Sequence, residues 1–314
     1  MADVSVIILT FNEEKNLPDC LDSVKGWAKE VFVVDSYSTD KTVEIALSRA
    51  KDGVRVVQHT FQDYSAQWNW ALNRLPLKGA WTLKLDGDER LTEEFRGETD
   101  AFLPTAPIET EGVYFPRRIF FLGQELKWGG IKKNHDLRMW RTGKALFEDK
   151  AVNEHAMVKG GKVKFKAAVD HKDNKDLAHW IEKHNRYTSL EAIAQLQDNM
   201  TGDVTPRLFG QPEERRKWLQ VFYWRMPFRS ILLFVYLYFF RLGFLDGRVG
   251  FHKIFLRIGF IHLLADLKAR EAQRTGILPE VSWPERGKPH PAVARSALQK
   301  QVDRAQRPRR GGAR

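Results

Sequence analysis

Apolar residues fall in short dense runs through the first ninety positions, and each run ends on polar residues. Val4–Thr10, Val31–Asp35, Val54–His59 and Ala80–Asp86 have the Val, Ile and Leu content of strands covered on both faces. Between them, Asn16–Val24, Asp40–Arg49 and Asp63–Leu75 have helical character, with Asn16 and Asp40 placed as caps. The β-α-β-α-β-α-β order predicts an α/β fold with a mostly parallel sheet and right-handed crossovers. Ligands of such sheets sit at the carboxyl ends of the strands. The polar residues just after each apolar run are therefore the candidates for function.

The pattern changes beyond residue 110. Val113–Phe121, Leu137–Arg141, Ala151–Val158 and Lys162–Val169 predict strands of a more antiparallel region. Leu177–Leu196 repeats apolar residues at helical spacing. Ile231–Phe240 is an unbroken apolar run of ten residues. As a helix it spans about 15 Å, roughly half the hydrocarbon core of a bilayer. Val249–Ala265 puts Phe251, Ile254, Phe255 and Ile258 on one side and Lys253 and Arg257 on another. Flanking arginines and aromatics suit an amphipathic region at a membrane interface. A helical hairpin packed on the domain or on a second subunit is the alternative. The expected organisation is a domain over 1–200, with a nucleotide half (1–110) and an acceptor half (111–200). A helical interface region over 201–283 and a disordered basic tail over 284–314 follow.

Charge sharpens this picture. Residues 1–200 hold 29 Lys and Arg against 31 Asp and Glu, residues 201–283 hold 13 against 7, and residues 284–314 hold 9 against 2. The basic excess lies wholly in the C-terminal third, as expected for a neutral body with an attachment surface for anionic membrane, and not for a nucleic-acid-binding body. The single cysteine, Cys20, excludes an internal disulfide framework and a cysteine-rich zinc module. No basic segment precedes Val4–Leu9, so the start does not read as a signal peptide.

Candidate chemistry gathers at three strand ends. Leu85-Asp86-Gly87-Asp88-Glu89 follows the fourth strand. Two carboxylates two residues apart repel unless a hard cation is shared, and a diphosphate is the natural second ligand of that cation. Asp35, in Val33-Val34-Asp35-Ser36-Tyr37-Ser38-Thr39-Asp40, is placed to accept a base N–H or ribose hydroxyl. Thr10-Phe11-Asn12-Glu13 opens the first loop.

These three motifs, in this order, resemble glycosyltransferase family 2 and its GT-A fold. The branch resembled is the bacterial lipopolysaccharide core enzymes, on Arg138-Met139-Trp140-Arg141, Asn153-Glu154-His155 and His171. The resemblance runs over about residues 3–270. It implies a nucleotide-sugar pocket at Thr10, Asn12, Glu13, Asp35, Gln67, Asn69 and Asp86. It implies Mg²⁺ or Mn²⁺ on Asp86 and Asp88, with His171 a further candidate ligand. Gly87 stands where alanine is more usual, a harmless change, and Trp68 where the branch often has a basic residue.

The implied reaction moves a sugar from a nucleoside-diphosphate sugar, a UDP-sugar, to a lipid-linked, lipopolysaccharide or exopolysaccharide glycan. Glu154 is the candidate base. A base and one in-line displacement invert the anomeric carbon. Arg138 is a candidate for phosphate or acceptor contact, or an ion pair with a nearby acid. Trp128 is a candidate stacking face for an acceptor sugar. The expected location is peripheral, on the cytoplasmic face of a bacterial inner membrane. A nucleotidyltransferase is disfavoured, because the first loop has no glycine and two acids, Glu13 and Glu14. A catalytically inactive membrane-bound module predicts loss of the acidic pair or of the base, and both are present.

Overall fold

The computed structural model describes residues 1–130, 135–148, 155–196, 207–209, 218, 226 and 229–306. They form two units: residues 1–120, 133–174 and 285–314, and residues 121–132 and 175–284. The first unit is built on strands β1 (Ala2–Thr10), β2 (Ala28–Asp35), β3 (Val54–Gln58), β4 (Trp81–Asp86), β5 (Glu89–Arg90) and β6 (Thr110–Phe121). Helices α1 (Leu17–Val24), α2 (Thr42–Ser48) and α3 (Tyr64–Arg74) connect the first four, and α4 (Glu93–Phe102) leads to β6. The strands and connecting helices predicted in the first ninety residues are all present, within three residues at each end.

The sheet runs β3-β2-β1-β4, all parallel. It continues through β8 (His135–Arg141), antiparallel to both β4 and β6. Beyond β6 lies β12 (Val169–His171), which pairs antiparallel with β5. Burial of almost every β1 residue follows from cover on both faces. Val6 and Ile8 join one core with Leu17, Leu21, Leu85 and Phe115. Ile7 points the other way, to Phe32, Trp68, Trp140 and Phe147. Close approach fixes one glycine, since a Cβ on Gly79 would run into the Ser5 backbone nitrogen.

The predicted strand Lys162–Val169 is in fact two, β11 (Gly161–Lys164) and β12, divided by the buried Phe165 and a short bend. A small antiparallel pair joins β9 (Leu146–Phe147) to β10 (Ala156–Met157). The C-terminal segment differs from expectation. Residues 285–306 are not a featureless tail: α9 (Pro291–Arg295) and α10 (Ala297–Gln306) pack against β3, burying Val293 and Val302. Two apolar residues at the right spacing supply enough burial for a short amphipathic element.

In the second unit the chain turns through Leu122 and Gly123, both at positive φ, into β7 (Gln124–Leu126). Helix α5 (Leu177–Leu196) has the predicted bounds. The apolar run forms α6 (Arg229–Val235), which continues as a wider π-turned helix to Phe240. Leu242 at φ 58° breaks it, and the chain bends by 75° into 243–275. That arm holds α7 (Gly247–Ile254), a π segment over 255–261 and α8 (His262–Thr275). The arms are tied by a buried pair, Arg229 Nε donating to Asp266 Oδ2 at 2.8 Å. Lys268 Nζ stitches α8 to α5 through Asn185, Thr188 and Ser189. No single helix among the described residues is long and apolar enough to cross a membrane; the bent pair is, by length and composition.

Candidate active site

Register aligns the carboxyl ends of the parallel strands. Thr10 lies opposite Asp35, Asp35 opposite Gln58, and Leu9 opposite Asp86. Asp35 has no exposed surface. Its Oδ1 accepts from Thr10 Oγ1 at 3.3 Å and from Ser38 Oγ. Its Oδ2 accepts from Ser38 N at 3.0 Å and Gln58 Nε2 at 2.8 Å. The sequence places Asp35 as an acceptor, and in the structure protein donors reach both of its oxygens. Both oxygens are spent knitting three strand ends together, as a buried carboxylate requires.

The first loop is knitted the same way. Asn12 sits at φ 55°, its N–H donates to Ser38 Oγ at 2.9 Å, and its Oδ1 accepts from Thr39 N at 2.8 Å. Glu13 Oε2 accepts from Asn16 Nδ2 at 2.8 Å, and the Glu13 carbonyl accepts the first N–H groups of α1. An alanine at 87 would bring its Cβ to 3.1 Å from Glu13 Cγ, so the glycine gives Glu13 its room. Gln67 and Asn69 each have partners inside the protein. Gln67 is buried, with Oε1 2.7 Å from His59 Nδ1. Asn69 clamps the Phe147 backbone, accepting from its N–H at 2.9 Å and donating to its carbonyl at 3.0 Å. Gln67 faces inward from α3, where a polar side chain must find an internal partner, and Asn69, two residues on, turns a different side to the Phe147 backbone.

The acidic corner is held by arginine. Arg138, nearly buried on β8, donates from Nη2 to Asp86 Oδ2 at 2.6 Å and from Nη1 to Glu89 Oε2. Glu89 is wholly buried; its Oε1 lies 3.6 Å from Arg117 Nη1, and its Oε2 accepts from Asp86 N at 3.0 Å. Burial pushes the Asp86 carboxyl up, but the Arg138 charge outweighs it and leaves the group well below the usual carboxylate range. For Glu89 burial prevails over Arg138 and leaves the carboxyl above its ordinary value. Arg138 is thus an ion-pair residue that joins Asp86 to Glu89.

Asp88 is placed differently. The β5–β12 pairing sets His171 opposite Glu89, and His171 Nδ1 comes to 3.3 Å from Asp88 Oδ1. Backbone bonds hold both. Lys172 N donates to the Asp88 carbonyl at 2.9 Å, as does Arg90 Nη1. Asn16 anchors the following turn, donating to Asp173 Oδ1 at 2.9 Å and accepting from Asn174 N at 2.7 Å. Burial lowers the affinity of His171 for a proton, but the facing Asp88 carboxylate raises it further, so the imidazole sits above its ordinary pKa. Its Nδ1 is buried without a well-formed hydrogen bond. An imidazole nitrogen and a carboxylate oxygen this close suit two of the donors of a divalent cation. Among the described residues no group of three or more His, Cys, Asp and Glu gathers for a metal.

Trp128 lies in the second unit, half-exposed, its backbone N–H donating to Asp246 Oδ2 at 2.9 Å. Glu154 lies outside the described residues. The buried Glu89 and the half-buried Arg117 add charge to this corner beside Arg138, and the sequence reading gives neither a role. An arginine inside an apolar strand, here Arg117 on β6, was the one signal available.

Residues 5–98 match glycosyl transferase family 2. The family 2 match covers β1 to α4, and so includes Thr10, Asp35, Asp86 and Asp88. An uncharacterized glycosyltransferase of Rickettsia bellii is 40% identical over 97 residues, 31% of this chain and 31% of that protein. The prophage-derived glycosyltransferase SunS of Bacillus subtilis is 25% identical over 218 residues, 68% of this chain and 47% of that protein. The chain spans about a third to half of the length of these curated relatives. Among solved structures, residues 1–349 of S. aureus TarS in complex with UDP align at 16% identity, over 88% of this chain and 92% of that one, with a TM-score of 0.43. The lipopolysaccharide branch is not among these relatives.

Proposed function

We propose that this chain is an inverting, metal-dependent glycosyltransferase that takes a UDP-sugar or related nucleoside-diphosphate sugar. The observation that carries the reading is the meeting of Asp88, inside the family 2 match, with His171, beyond it, beside the carboxyl ends of the parallel strands. Asp88 and His171 would hold Mg²⁺ or Mn²⁺. When bound, that ion supplies Lewis-acid stabilisation of charge on the departing diphosphate. Arg138 offsets part of the charge of Asp86 and Glu89, so the floor of the site repels the donor's phosphates less than two unpaired acids would. Asp35 and Asn12 keep the strand-end loops in a fixed shape, so little ordering entropy is lost when the donor binds. Glu154 is our candidate to take the proton from the attacking acceptor hydroxyl. A carboxylate base and one displacement give inversion.

The acceptor we propose is a lipid-linked, lipopolysaccharide or exopolysaccharide glycan at the cytoplasmic face of a bacterial inner membrane. Support comes from the second unit, where Ile231, Tyr236, Phe239, Phe240, Leu245 and Phe255 are exposed on the bent helices beside Arg241, Arg248 and Arg257. Apolar area with a basic fringe suits an anionic lipid surface.

The test is release of nucleoside diphosphate from a panel of nucleotide sugars, with membrane glycolipid extract as acceptor, in Mn²⁺ and in EDTA. Turnover that EDTA abolishes and the extract stimulates is the expected result. No turnover across the panel, or turnover indifferent to EDTA, overturns the reading or its metal.

A further inference from the structure

The carboxylate expected to meet the donor's base, Asp35, has no free oxygen and no exposed surface. The charge that does reach the surface over it belongs to Arg286, from the far end of the chain. Arg286 is exposed. Its Cζ lies 5.1 Å from the Phe11 ring centroid and 5.2 Å from that of Phe61, and its Nη1 donates to the Ser36 carbonyl at 2.9 Å. Phe11 follows β1, Ser36 follows β2 and Phe61 follows β3, so one guanidinium spans three strand-end loops.

The placement is built. Gly287 N donates to the Tyr37 carbonyl at 2.7 Å, and a Cβ at 287 would meet the Ser38 carbonyl at 2.8 Å, so only glycine lies this close. His290 N donates to Gln58 Oε1 at 2.7 Å, while Gln58 Nε2 reaches Asp35. Gln299 imitates a neighbouring strand. Its Oε1 accepts from Gln58 N at 2.8 Å and its Nε2 donates to the Gln58 carbonyl at 3.1 Å, closing the open edge of β3. Buried Val293 and Val302 hold the segment down. All of this lies within the first unit.

We propose that the C-terminal segment 285–306 is a wall of the donor's nucleoside pocket and that Arg286 is a nucleoside-binding residue. This rests on the glycosyltransferase reading above. A guanidinium flanked by two aromatic rings offers a flat cationic face for a heterocycle to stack on. Its N–H groups match the carbonyl oxygens of a base such as uracil and the hydroxyls of ribose. Asp35 acts beneath it, orienting the segment through Gln58.

The experiment is calorimetric titration of the full chain with UDP and, separately, with inorganic pyrophosphate, both in Mn²⁺, for the wild type, Arg286→Ala, Arg286→Lys and Gln299→Ala. Arg286→Ala weakens UDP binding by about tenfold or more and leaves pyrophosphate binding unchanged. Arg286→Lys, which keeps the charge and loses the flat fork, restores part of the loss. Gln299→Ala, which loosens the segment, falls on the same side as Arg286→Ala. UDP affinity within twofold of wild type, or tighter, in Arg286→Ala overturns the assignment, and tighter binding marks Arg286 as a plug. An equal loss for pyrophosphate overturns the nucleoside contact. A wild type that binds neither ligand overturns the glycosyltransferase reading as well.

Discussion

Arg138 Nη2 lies 2.6 Å from Asp86 Oδ2, and the opposite edge of the same guanidinium grips the buried Glu89. One cation therefore serves two carboxylates, one of them with no exposed surface. Removing it leaves the buried Glu89 with only the longer contact to Arg117, 3.6 Å away, for counter-charge. Arg138→Met should cost about 3–5 kcal/mol, the range for breaking a buried pair from one side. Urea unfolding followed by tryptophan fluorescence measures this. A cost under about 1 kcal/mol would mean the corner relaxes into solvent.

Asp88 and Asp86 are separated by one glycine, yet only Asp88 faces His171. The two acids should therefore respond differently. Asp88→Asn should remove Mn²⁺-dependent binding of UDP, and His171→Asn should weaken it. Asp86→Asn should act first on stability, through the lost Arg138 partner. Calorimetry with and without Mn²⁺ separates these effects, and equal UDP losses for Asp86→Asn and Asp88→Asn would remove the distinction.

The parallel half of the sheet was legible in the sequence because strands such as Val31–Asp35 and Val54–His59 are buried on both faces, and only apolar runs survive there. Bringing His171 to Asp88 was legible only through resemblance: their contact depends on β12 pairing with a two-residue strand, β5, too short to leave a pattern. The internal partners of Asp35, Gln67 and Asn69 are not legible in the sequence, for a common reason. Composition tells that a polar residue sits at a strand end or on a helix, but not which way it faces. Inward-facing polar groups look like ligand groups until their partners are known. The C-terminal helices were missed because basic residues outnumber the few buried positions, such as Val293 and Val302.

Asn69 allows a direct test of whether its internal partners are its whole role. Its side chain replaces a strand neighbour for Phe147, with two hydrogen bonds to one backbone unit. Asn69→Ala should cost about 1–3 kcal/mol in stability, from two lost bonds at about 1 kcal/mol each. UDP affinity should stay within twofold of wild type by calorimetry. A large fall in affinity at unchanged stability would return Asn69 to the donor site.

His184 gives the second unit a pH signature. Burial pushes its pKa down to about 4, with Lys183, Lys253 and Arg257 adding repulsion against a hydrogen bond to the Trp180 carbonyl that favours the proton. The unfolded chain takes up that proton near pH 6.5. The folded state thus binds fewer protons between about 6.5 and 4, and stability falls as pH drops through that window. It is fully present above 6.5 and levels off below 4. Urea midpoints measured across pH 4–7 should slope less in His184→Gln than in wild type; identical slopes would place the titration elsewhere.

The bent helices supply the last prediction. Phe239 and Phe240 are 56% and 74% exposed at the end of the apolar arm, just before the break at Leu242. A buried core would not leave two adjacent phenylalanines open, and each exposed ring carries apolar area that water disfavours. Against a bilayer that area gains roughly 25 cal/mol per Å², and each nearby arginine adds about 1 kcal/mol on anionic lipid. Phe239→Asp with Phe240→Asp should therefore release the chain from phosphatidylglycerol vesicles in a flotation assay, with little loss of stability because neither ring is buried. Added salt should weaken the wild type but not abolish its binding, since the apolar share is unscreened. Docking onto a second copy predicts the opposite pattern: no flotation for the wild type, and a concentration-dependent mass that the double variant reduces to a monomer.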